Sequence, residues 1–138
     1  MFGKLSKRKP KAIDSLIGGH TEVLGDIKIS GGVHIDGSVR GSVTAQNDER
    51  AVLQLSEMGS IHGDVRVPFV VLDGVVVGDV HSTQHIDLKS KARVTGNVYY
   101  NLIEMAIGAE VNGKLVHRPD LEEPAVEFSP DGSFEPAD

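Results

Sequence analysis

Between Ile86 and Val116 the chain can be laid out as two superimposed lines. Ile86, Leu88, Ala92, Val94, Gly96 and Val98 form the first. Ile103, Met105, Ala109, Val111, Gly113 and Leu115 form the second, each 17 residues after its counterpart. Apolar and polar positions alternate within each line. A fixed period of this size is the signature of a repeat architecture in which each unit buries its apolar face only against its neighbours.

The same pattern extends upstream. A glycine followed two positions later by an apolar residue recurs at Gly25, Gly41, Gly63, Gly78, Gly96 and Gly113, at intervals of 16, 22, 15, 18 and 17. An apolar residue stands two positions before each: Val23, Val39, Ile61, Val76, Val94 and Val111. Short runs such as Val33-His34-Ile35 carry the period-2 strand signal, and glycine recurs too often for helix interiors. Repeated short strands without hairpin turns predict an all-β, single-domain, right-handed parallel β-helix. It has about six coils stacked ~4.8 Å apart, over roughly 29 Å. The unequal intervals favour the right-handed form over a strict hexapeptide helix. The longest interval is read as a loop inserted at 45–50.

The flanks differ in composition. Residues 1–12 carry Lys4, Lys7, Arg8, Lys9 and Lys11 and no acid, so they form a disordered basic arm. The repeat occupies 13–117. Residues 118–138 hold four prolines and seven acids (Asp120, Glu122, Glu123, Glu127, Asp131, Glu135 and Asp138) against Arg118, which reads as a disordered acidic tail. The formal net charge of −6 does not suggest a nucleic-acid binder. The chain has no cysteine, so disulfides, thiolate metal sites and cysteine nucleophiles are excluded. No apolar run approaches the ~20 residues of a membrane span, and no signal-peptide core follows the basic start. The protein is expected to stay in the cytoplasm.

Candidate chemistry is sparse. Asp26, Asp64 and Asp79 follow marker glycines and so fall in one column with Ser42, Asn97 and Lys114. They are read as turn formers, with a carboxylate cluster for calcium, sugar or catalysis as the alternative. The six histidines form no metal-binding pair, and there is no nucleophile-elbow or phosphate-loop motif. The expectation is a non-enzyme with no cofactor, no nucleotide and no specific nucleic acid. The alternatives are a non-polymerising β-helical adaptor, or a carbohydrate-binding or enzymatic module.

What remains is the ends. No amphipathic capping helix is visible at either terminus, and an uncapped solenoid invites stacking on a second copy. Folding of the tails over the ends is the competing reading. Ile13, Leu16 and Ile17 at one end, and Tyr99, Tyr100, Leu102, Leu115 and Val116 near the other, are the candidate polymerisation residues. Met1, Phe2, Lys4, Leu5, Lys7, Arg8 and Lys9 form a candidate membrane contact. Phe2 and Leu5 would enter the headgroup region while the cations meet anionic lipid at about 1 kcal/mol each. Display of many arms on one polymer would add avidity.

Ile17 to Gly41 (IGGHTEVLGDIKISGGVHIDGSVRG), Gly96 to His117 (GNVYYNLIEMAIGAEVNGKLVH) and the opening Met-Phe-Gly-Lys resemble the bactofilins, bacterial polymer-forming cytoskeletal proteins. The resemblance covers residues 13–117. It implies a right-handed β-helix that polymerises end to end without nucleotide, on the inner face of the cytoplasmic membrane. It also implies scaffolding of cell-wall synthesis or hydrolysis enzymes, or of other polarity proteins, with effects on cell shape. Bactofilin polymerisation uses apolar residues near the C-terminal end of the helix, including a phenylalanine in some members. The terminal coils here contain no phenylalanine.

Overall fold

The computed structural model describes residues 9–46 and 49–118. All regular structure there is β, sixteen strands winding through six coils. The first coil contains β1 (Ile13–Ile17), β2 (Glu22–Leu24) and β3 (Ile27–Ile29). The second contains β4 (Gly32–Ile35), β5 (Ser38–Arg40) and β6 (Val43–Ala45), and the third β7 (Val52–Leu55), β8 (Ser60–His62) and β9 (Val65–Arg66). The fourth begins with β10 (Phe69–Leu72) and β11 (Val75–Val77) and ends in β12 (Val80–Leu88), which runs on into the fifth. The fifth continues through β13 (Arg93–Thr95) into β14 (Val98–Met105), and the sixth closes with β15 (Glu110–Asn112) and β16 (Leu115–His117).

Every strand pairs in parallel with its equivalent one coil away. Three flat faces result. Face 1 stacks β1, β4, β7, β10 and the second halves of β12 and β14. Face 2 stacks β2, β5, β8, β11, β13 and β15. Face 3 stacks β3, β6, β9, the first halves of β12 and β14, and β16. Because β12 and β14 turn the corner between faces 3 and 1 without a break, those two faces belong to one ten-stranded sheet.

Alternation decides what is buried. On face 2, Val23, Val39, Ile61, Val76, Val94 and Val111 form one inward column, in the register the marker glycines indicated. Ile17, Ile35, Leu55, Leu72, Leu88 and Met105 form another on face 1. The core is fully closed only in the middle coils: Ile35, Leu55, Leu72 and Leu88 are inaccessible to water, whereas Ile17 is half-buried and Met105 is exposed. Ser82 is the single buried polar side chain among the described residues, and its Oγ donates to the Pro68 carbonyl at 2.8 Å.

The marker glycines form the corner between faces 2 and 3. Gly78 and Gly96 adopt φ of 146° and 145°, where a side chain is strained, and a Cβ on either would collide with the carbonyl of the glycine one coil below. The corner between faces 1 and 2 varies instead, with four-residue turns in the first, third, fifth and sixth coils and tight turns in the second and fourth. Four-residue turns at Gly18–Thr21 and Ser56–Gly59 flank a tight turn at Asp36–Gly37, and a second tight turn follows at Asp73–Gly74.

The interval of 22 therefore has two sources rather than the single inserted loop expected at 45–50. The turn at Ser56–Gly59 adds two residues over its counterpart in the second coil. The rest lies between β6 and β7, after Ala45, which is the last residue of β6.

Replacing Gly96 with Ala is expected to lower stability by about 2 kcal/mol or more, through both the forced φ and the collision. Gly18→Ala, where an added Cβ meets nothing within 4 Å, is the control and should change little. Urea midpoints of the two variants check this.

Candidate end interfaces

The aspartate column is occupied by structure. Asp26 Oδ1 accepts the Ser42 N–H at 2.9 Å, Asp64 Oδ1 that of Asp79 at 3.1 Å, and Asp79 Oδ1 that of Asn97 at 2.9 Å. Asn97 Oδ1 then accepts the Lys114 N–H at 3.0 Å. Each of these four side chains thus satisfies a backbone donor of the following coil, a ladder between coils rather than the bond to nearby backbone expected of turn formers. A second ladder lies between faces 1 and 2, where Asp73 Oδ1 accepts the Lys91 N–H at 3.1 Å. There the hydrogen bond from Ser56, followed by the effect of His34, holds the Asp36 carboxyl below its ordinary range in spite of partial desolvation. His34 lies between Gln54 and Asp36, at 2.6 and 2.9 Å. Among the described residues no three His, Asp or Glu side chains converge as a metal site.

The ends have a different character. Of the ten large apolar side chains left exposed among the described residues, seven belong to the first and sixth coils. Ile13, Leu16 and Leu24 are 40, 65 and 74% exposed at one end; Leu102, Met105, Ile107 and Leu115 are 61, 44, 98 and 44% exposed at the other. The half-buried Ile17, Val23, Ile27 and Ile29 add to the first end, and Ile103, Ala109 and Val111 to the second. The outer edges of β1, β2, β3, β15 and β16 pair with no strand among the described residues. Each end therefore offers an apolar patch rimmed by unpaired backbone.

The predicted residues divide accordingly. Ile13, Leu16, Ile17, Leu102, Leu115 and Val116 lie in the terminal coils. Tyr99 and Tyr100 lie one coil further in. Tyr99 stacks on His81 with ring centroids 4.5 Å apart and carries the Arg118 guanidinium over its other side, and Tyr100 packs against His117. Leu24, Met105 and Ile107 were not anticipated. Leu24 shares its register with Arg40, His62, Val77, Thr95 and Asn112, an outward position, and an apolar residue there in a terminal coil is a signal the period itself contains. Of the membrane-contact set, Lys9 is exposed, and Met1, Phe2, Lys4, Leu5, Lys7 and Arg8 fall outside the described residues.

The profile of the family described as "Bactofilin: Polymer-forming cytoskeletal" matches residues 15–116, from the first coil to the last. The chain is a bactofilin. Bactofilin BacO of Myxococcus xanthus (strain DK1622) is 24% identical over 109 residues, covering 79% of this chain and 83% of that protein. No solved structure matches. Membership makes this bactofilin a polymer-forming cytoskeletal protein. No helix among its described residues is long and apolar enough to cross a membrane.

Two outcomes follow for the bactofilin's ladders. Asp79→Ala orphans the Asn97 N–H and should cost about 1 kcal/mol, whereas Asp79→Asn keeps an acceptor and should cost less; thermal unfolding separates them. The second concerns His81, whose imidazole is pushed below its usual 6.5 by burial first and then by the Arg66 charge, with Arg118 adding to this and Asp79 and Asp64 opposing it. The folded state then binds that proton more weakly than the unfolded chain. Stability is expected to be level above pH 6.5 and to fall as pH drops from 6.5 towards the lower folded value. His81→Phe retains a ring for the stack and should flatten part of that fall in melts between about pH 7.5 and pH 5.

Proposed function

We propose that this bactofilin assembles end to end, without nucleotide, through its first and sixth coils. The filament is held on the inner face of the cytoplasmic membrane by the basic arm at 1–9, and acts as a non-enzymatic scaffold for cell-wall synthesis or hydrolysis enzymes or other polarity proteins. The observation that carries the reading is the concentration of exposed apolar side chains in the terminal coils. Burying a large apolar side chain contributes roughly 1.5–3 kcal/mol. Four at one end, about six-tenths exposed on average, give a gross gain of roughly 4–7 kcal/mol, within the ~4–15 kcal/mol cost of immobilising a partner. The unpaired strand edges add hydrogen bonds. A balance of this kind supports an assembly that depends on protein concentration.

The chain's entry and exit favour open ends. Lys11 donates its N–H to the Arg50 carbonyl at 2.9 Å and its Nζ to the Ser30 carbonyl at 3.1 Å, tying the root of the arm to the flank of the second and third coils. Arg118 donates its N–H to the Tyr100 carbonyl at 2.7 Å and turns its side chain back over Tyr99. Both described termini are thus held along the side.

The test is negative-stain microscopy and sedimentation of purified protein without nucleotide, compared with the Leu102→Glu, Ile107→Glu double variant. Wild type should give filaments and the variant short species, with little change in melting temperature because both side chains already face water. Filaments in the variant, or monomers in the wild type at every concentration and salt, would refute the reading. Separately, Phe2→Glu should reduce co-sedimentation with phosphatidylglycerol vesicles and leave the filaments unchanged.

A further inference from the structure

Charge is sorted among the faces. Face 3 and its edge towards face 1 carry Lys9, Lys11, Lys28, Arg50, Arg66 and Arg118, with Glu49 the one acid there among the described residues. The rest of the described surface holds eleven acids and five cations. On the other faces cations tend to be matched: Arg40 with Glu22 at 2.8 Å, Lys89 with Asp87 at 3.0 Å, and Arg93 with Glu110 at 3.5 Å. Lys28, Arg66 and Arg118 have no carboxylate partner among the described residues. Lys28, Thr44, Arg66, His81, Tyr99 and Val116 occupy one outward column from the first coil to the sixth. Lys28 and Arg66 in this column, with Arg118 at its far end, make a sparse cationic strip along the body, bordered by Asp26, Asp64 and Asp79 at the corner with face 2.

The segment after Arg118 begins at the end of this strip. It contributes seven carboxylates over residues 119–138 and, after Arg118, no Lys or Arg. The sixth coil lies about 24 Å from the first at ~4.8 Å per step. An extended chain covers that in roughly eight residues at ~3.3 Å each, so the segment is long enough to run the whole strip. A tethered strand of opposite charge has an effective concentration in the millimolar range.

We propose that residues 119–138 dock along face 3 of their own chain, pairing their carboxylates with Lys28, Arg66 and Arg118 and screening this face from other polyanions. The docking is intrachain and stands whether or not the protein polymerises. Anionic lipid is the competing occupant.

Carbodiimide cross-linking of the intact protein, with peptide mapping, tests this. A 1:1 mixture of nitrogen-14 and nitrogen-15 protein separates links within a chain from links between chains. Single-label links from the segment to Lys28, in the first coil, are expected to exceed those to Lys91 several-fold. Lys91 is exposed in the fifth coil and is nearer the segment's root along the axis. Arg66→Glu with Arg118→Glu, which leaves every lysine in place, should cut the Lys28 links several-fold, as should about 1 M salt. Equal linkage to Lys28 and Lys91, mixed-label links as the main product, or indifference to both charge reversal and salt would each overturn the proposal. So would phosphatidylglycerol vesicles that protect Lys28 from acylation by a water-soluble reagent while leaving the segment's links unchanged, because face 3 would then be free for lipid.

Discussion

A coil of this protein cannot bury its own core. Its inward side chains are shielded laterally by three strands, but above and below only by the next coil. The consequence is visible in single columns. Val39, Ile61, Val76 and Val94 are inaccessible, and their counterparts at the ends, Val23 and Val111, are only half-buried, although the residue type and backbone are the same. Exposure is set by position in the stack and not by chemistry. The apolar ends are the unavoidable remainder of an architecture that closes laterally and stays open axially.

Stacking in turn demands a corner that repeats. The coils can sit at sheet spacing only where no side chain intrudes, which is why Gly63, Gly78 and Gly96 stack directly on one another's carbonyls. The residue after each glycine then supplies an acceptor to the coil that follows. Sterics and hydrogen bonding act at the same place, and together they fix a register that slippage by one residue would destroy, since every inward valine would turn outward. The same need gives these aspartates a structural role: one oxygen of each accepts a backbone N–H of the following coil.

Much of this was legible in the sequence because period, glycine and alternation are local properties. The inward columns, the corner and the number of coils could be read from Val23 through Val111. The corner between faces 1 and 2 could not. Its mixture of tight turns at Asp36–Gly37 and Asp73–Gly74 with four-residue ones at 18–21, 56–59, 89–92 and 106–109 changes the length of each coil without changing its pattern. For this reason the long interval was assigned to one loop when it has two sources. Tyr99 and Tyr100 were placed at the end because they lie near the end of the chain, yet β14 spans two coils and leaves both rings beneath the sixth. Leu24 and Ile107 were passed over because outward positions become interfacial only once the coil is known to be terminal. The segregation of charge needs the register as well: Lys28, Arg66 and Arg118 are far apart in sequence and meet only when the coils are stacked.

The two kinds of surface have opposite consequences for assembly. An exposed strand edge is a template for indiscriminate pairing, the hazard that leads to cross-β aggregation. Here the edge is short on every face, three to five residues in β1, β2 and β3, and it bends at three corners. A partner must match that triangular outline to bury the apolar centre and pair the rim together. A flat sheet from an unrelated chain can do neither. The sides are mixed: Lys28 and Arg66 stand on face 3 and salt bridges at both ends of face 2, while Val75 and Val77, and in the terminal coils Leu16, Leu24 and Leu102, are outward apolar positions. Among the described residues the uncovered core lies at the two ends of a closed cross-section, so a contact made along the axis is the kind that covers it.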